Sequence, residues 1–105
     1  MADQVNYKVY KLNVGTETVK LVLTDHKGVL RSCDFIQVIV SSISEPEGIV
    51  QMVLFTPDDR ENTFDEENKI IELEEGESFS DNIAVEMLWI RTTKGTATVK
   101  IYTSW

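Results

Sequence analysis

The sequence predicts an all-β domain, an antiparallel β-sandwich of jelly-roll-like or Ig-like kind with about seven or eight strands. Three observations carry this. Apolar and polar residues alternate with period two, β-branched residues fill the alternating runs, and turn signals punctuate the chain at short intervals. No stretch carries a helical stripe. The 105 residues are read as one domain, 1–105. A chain of that length buries roughly two-thirds of its unfolded surface, so a core without staples is feasible.

The predicted strands follow in order. Tyr7–Leu12 ends at the turn Val14-Gly15-Thr16-Glu17, and Thr18–Thr24 ends at Asp25-His26-Lys27-Gly28. Phe35–Ser42 and Ile49–Thr56 flank Ser44-Glu45-Pro46-Glu47-Gly48 and are apolar on both parities. One side of an antiparallel strand normally faces water, so two such strands imply cover by other elements or a subunit contact. Lys69–Glu74 leads into the turn Glu74-Glu75-Gly76-Glu77. Met87–Thr93 and Thr96–Thr103 close the chain as a predicted hairpin around Lys94-Gly95, where glycine supplies the positive φ of a two-residue turn.

That hairpin register would pair Leu88 with Ile101 and Ile90 with Val99 on a core face, with Ala97 and Trp105 on the same parity. The opposite face then carries Met87, Trp89 and Tyr102 beside Arg91 and Lys100, and Trp, Tyr, Met and Arg are the types enriched at interface centres. These five form the candidate interface. Two other readings stay open: a loop or the N-terminal strand covers them, or Lys100 and Trp89 form a cation–π pair.

Charge and composition exclude several functions. The formal charge is −8, from 18 acidic and 10 basic side chains, which disfavours nucleic acid and anionic membranes as partners. Residues 58–82 hold 11 acidic side chains against Arg60 and Lys69, so the rest of the chain is close to neutral. The stretch at 58–68 lacks the alternating acids and central glycine of an EF-hand loop, which favours a solvated, mobile loop over a Ca²⁺ site. Cys33 and His26 are each single, so no disulfide, no thiolate metal site, no cofactor and no Cys-His or Ser-His-Asp chemistry is expected. Cys33 is read as a buried free thiol and His26 as a solvated turn residue. No apolar run reaches bilayer-spanning length and Met1-Ala2-Asp3-Gln4 does not start a signal peptide, so synthesis in the cytoplasm is expected.

Three segments carry a family resemblance: Ile71-Glu72-Leu73-Glu74-Glu75-Gly76-Glu77-Ser78, Leu88-Trp89-Ile90-Arg91, and Gly95-Thr96-Ala97-Thr98-Val99-Lys100-Ile101. From about Asp34 onward the chain resembles small β-sandwich virion proteins of tailed bacteriophages, which serve as capsid decoration, fibre or tail components. The acidic insert at 58–68 departs from that pattern. The resemblance implies a non-catalytic virion protein, made in the host cytoplasm, that forms a homo-oligomer, with a trimer the first expectation, and docks on other virion proteins. Two alternatives stand beside it. One is a carbohydrate- or receptor-binding module with Trp89 and Tyr102 as stacking platforms. The other is an acidic inhibitor of a host nucleic-acid-binding protein, with residues 58–82 imitating a phosphate backbone.

Overall fold

The structure, a computed structural model, describes residues 7–25, 27–60, 63–65 and 67–105. Eight strands form: β1 (Tyr7–Val14), β2 (Val19–Val22), β3 (Phe35–Ile43), β4 (Val50–Phe55), β5 (Ile71–Leu73), β6 (Ser78–Asp81), β7 (Met87–Thr92) and β8 (Ala97–Ser104). They make two antiparallel four-stranded sheets, ordered β1-β8-β3-β6 and β2-β7-β4-β5. Strand 1 pairs with 8, 2 with 7, 3 with 6 and 4 with 5, as in a long hairpin rolled into two layers. This is the jelly roll, one of the two strand orders the sequence left open.

Period-two alternation puts one parity of every strand into the space between the sheets. In the first sheet an inward row runs Tyr10, Ile101, Val38, Phe79 across four strands; in the second, Val19, Ile90, Met52 and Ile71 do the same. Ile36, Val38, Val40, Leu88, Ile90, Val99 and Ile101 are fully buried there. Trp105 packs against this cluster and donates its indole N–H to the Arg31 carbonyl at 3.3 Å. A β-bulge between Val40 and Ser42 leaves Ser41 unpaired and brings Ile43, opposite Ala97, back to the inward side.

The predicted β7–β8 hairpin does not form. The two strands belong to different sheets: β7 lies between β2 and β4, and β8 between β1 and β3. Lys94-Gly95 is instead the link that carries the chain from one layer to the other. Gly95 is still required, at φ 67°, because a Cβ there would run into Ser44 and Glu45 of the neighbouring loop. The predicted parity survives the wrong pairing, since Leu88 and Ile90 face Val99 and Ile101 across the interior rather than along a ladder. The sequence reading also lacked β6, whose Ser-Phe-Ser-Asp offers a single apolar residue.

The connections cluster at two ends. At one end the β1–β2, β3–β4, β5–β6 and β7–β8 loops are tied together, with the Thr92 N–H on the Gly15 carbonyl, Ser44 on Thr96 and Thr93 on Ile49. At the other lie the β2–β3, β4–β5 and β6–β7 connections, linked by the Cys33–Val85 bridge and the Arg60–Glu86 ion pair at 2.8 Å. Asp25 is buried there because its carboxylate accepts the N–H groups of Lys27 and Val29 in a tight turn. His26, within that turn, lies outside the described residues.

Candidate functional site

With the core placed between the sheets, each sheet has an outer face. The five residues predicted as one interface divide between the two. Met87, Trp89 and Arg91 point outward from the second sheet, and Lys100 and Tyr102 point outward from the first. They therefore form no common patch, and Lys100 stands on the far side of the sandwich from Trp89. Trp89 and Tyr102 likewise cannot make one stacking platform.

On the second sheet, outward rows run Val22–Met87–Phe55, Lys20–Trp89–Val53 and Arg91–Gln51–Glu72. Val53 is 0% exposed and Phe55 5%, although both point away from the core. Trp89 stands beside both, and the connection from β4 to β5 packs on it. Phe64 lies 6.4 Å from the Trp89 ring, which stands 5.2 Å from Phe55. The Arg91 guanidinium sits 3.9 Å over the Phe64 ring and donates through Nε to Gln51 at 3.1 Å. Gln51 in turn donates to Glu72 at 2.9 Å. The acidic stretch is thus not simply a solvated loop. Asp58, Asp65, Glu67 and Asn68 are exposed, but Phe64 is half-buried on the sheet and Asp59 pairs with Lys69 at 2.7 Å. The Trp89 indole N–H is buried with no hydrogen-bond partner among the described residues.

On the first sheet, outward rows run Tyr7–Ser104–Phe35, Val9–Tyr102–Gln37–Ser80 and Lys11–Lys100–Ile39–Ser78. None of these residues is buried: Tyr7 is 55% exposed and Val9 38%, with Phe35, Ile39 and Tyr102 intermediate. The face therefore combines aromatic and branched side chains with two lysines, open to solvent. Tyr7, Val9, Lys11, Phe35 and Ile39 are the members that sequence reasoning missed. The double-sided apolar pattern of β3 was the available signal, and the pairing of β1 with β8 could not be read locally.

Beside the Met87 end of the second sheet lies a cleft of about 440 Å³ lined by Val22, Leu30, Phe55, Met87 and Arg60 among others. Leu30 at its rim is 71% exposed. At the opposite end a second cleft, also about 440 Å³, is lined by Ile43, Glu45, Glu47, Glu74 and Glu75. No group of three His, Cys, Asp or Glu side chains among the described residues is placed to hold a metal ion. Cys33 is fully buried, its Sγ directed at the Ile83 carbonyl at 3.8 Å, and burial pushes its thiol pKa up. Glu86 raises the pKa of Arg60 by hydrogen bonding and by its charge. No helix among the described residues is long and apolar enough to cross a membrane.

No family model matches the chain, and no curated protein sequence matches it. Among solved structures, the chain is similar to one from a study described as "Bacillus endospore appendages form a novel family of disulfide-linked pili". The two share 13% identity with a TM-score of 0.45, over 97% of this chain and 91% of that one. A likeness of that degree carries no argument about function.

Proposed function

We propose that this protein is a non-catalytic structural subunit that self-associates, with the outer face of the first sheet as its contact. The observation that carries this is the contrast between the two outer faces. On one, Val53 and Phe55 are buried beside Trp89, against which Phe64 of the β4–β5 connection packs; on the other, Tyr7 and Val9 are exposed and Phe35, Ile39 and Tyr102 only half-buried. Contiguous exposed apolar patches of this kind mark interaction surfaces. A non-catalytic role fits the state of Cys33, since a buried thiol with a raised pKa is a poor nucleophile.

The finer reading is a virion protein of the tailed-phage type, docking on other virion subunits as decoration, fibre or tail component and made in the host cytoplasm. It draws on the resemblance carried by residues 71–78, 88–91 and 95–101. Sedimentation velocity across micromolar concentrations tests the coarser claim. A discrete oligomer, with a trimer the first expectation, supports it; a concentration-independent mass of 12.0 kDa overturns it.

A further inference from the structure

The open face is basic in an acidic protein. Among the outward strand residues of the first sheet there is no carboxylate, while Lys11 and Lys100 stand directly opposite one another on β1 and β8. Like charges in that position repel. The ion pairs between described residues are Arg60–Glu86, Lys69–Asp59 and Lys94–Glu47, so neither lysine of the open face is among them. An unneutralised lysine pair set among Val9, Ile39 and Tyr102 is a surface matched to an acidic partner.

The same chain presents such a partner. The cleft at the β3–β4 and β5–β6 loop end holds Glu45, Glu47, Glu74 and Glu75, with Glu77 beside it. Two of these carboxylates are held in place from within, Glu75 by the Ile43 N–H at 2.8 Å and Glu77 by the Glu74 N–H at 2.7 Å. Lys94 is the only cation paired there among the described residues. The acidic loop on the second sheet is a weaker candidate, because Lys69 and Arg60 pair with carboxylates around it.

We infer that the occupant of the open face is the acidic loop end of a second copy of this chain, docked through Lys11 and Lys100. This rests on the self-association proposed above. It excludes a symmetric face-to-face dimer, in which four ammonium groups would meet. The contact is heterologous, joining two different patches, so repetition closes a ring or extends a filament.

Charge reversal tests it. K11E/K100E removes the basic face, and E45K/E47K/E74K reverses the tip; all five positions are solvent-accessible, so both variants should keep the wild-type melting curve. Each variant alone should associate at least about tenfold more weakly than wild type, and added salt should weaken wild-type assembly. An equimolar mixture of the two variants should recover assembly, because both contacts regain opposite charges. Wild-type assembly that K11E/K100E leaves unchanged sinks this inference while the self-association reading stands. So does a mixture of the variants that stays dissociated. A wild type that never assembles sinks both.

Discussion

The two outer faces of the sandwich start from the same material and end in different states. Each sheet has two central strands whose outward positions carry aromatic or branched residues: Val53, Phe55 and Trp89 on the second sheet, Phe35, Ile39 and Tyr102 on the first. On the second sheet a long connection returns across the face and brings Phe64 onto Trp89, within reach of Arg91. On the first sheet no outward residue reaches burial. A strand that is apolar on both sides therefore has two solutions, one intrachain and one between molecules, and this protein is read as using both. The distinction has a measurable consequence. Stability lost from the covered face does not depend on protein concentration, whereas loss from an interface does.

The largest effect is expected from the core that both faces share. Ile90 is 0% exposed between Val19 and Met52, so Ile90→Ala should cost about 2–5 kcal/mol of unfolding free energy. Denaturant titrations at several protein concentrations should give the same loss. That loss sets the scale against which either face is judged.

Trp89 comes next and decides whether the covered face is truly internal. Packed between Phe55 and Phe64, its truncation should cost about 2–4 kcal/mol at every concentration. Oligomer mass should not change. Were Trp89→Ala to lower the assembly mass while leaving the monomer's melting curve intact, the second sheet would be the interface and the comparison would invert.

Tyr102 is the counterpart on the open face. Tyr102→Ala should weaken self-association by about 2 kcal/mol, as truncation of interface tyrosines does. Intrinsic stability should fall by less than about 1 kcal/mol, since the residue is only partly buried. Equal damage to stability in dilute and concentrated samples would make Tyr102 an ordinary packing residue.

Local pattern made one half of this comparison legible and hid the other. Alternation placed Leu88, Ile90, Val99 and Ile101 inside, because parity depends only on the two-residue period of a strand. It could not say which strands are neighbours. The short Lys94-Gly95 turn reads as a hairpin, but in a jelly roll nearly every connection crosses between sheets, so β7 and β8 separate. Met87, Trp89, Arg91, Lys100 and Tyr102 were joined into one patch by that mistaken pairing. β1 contributes Tyr7, Val9 and Lys11 to the open face through a partner some 90 residues away in sequence, as in Tyr7 opposite Ser104. β6 escaped notice because serine is a poor strand marker, and Phe79 alone gives no periodicity. Phe64 was legible in principle: an aromatic residue inside a run of carboxylates has little reason to be there unless it is buried.

The smallest effect is expected from those carboxylates, and it sharpens what holds the cover in place. Asp65 and Glu67 flank the segment that carries Phe64, yet both are exposed and neither belongs to an ion pair seen between described residues. Asp65→Asn with Glu67→Gln should therefore shift unfolding free energy by no more than about 0.5 kcal/mol, in line with isolated surface changes. Trp89 fluorescence should keep its wild-type emission maximum, because the aromatic contact between Phe64 and Trp89 is untouched. The rival account makes the acidic run a Ca²⁺ site that orders the loop, and it predicts something different. Millimolar Ca²⁺ would then raise the wild-type Tm, chelation would reverse the rise, and the double variant would lose it. Observing that pattern would transfer the fastening of the cover from an aromatic contact to a bound ion.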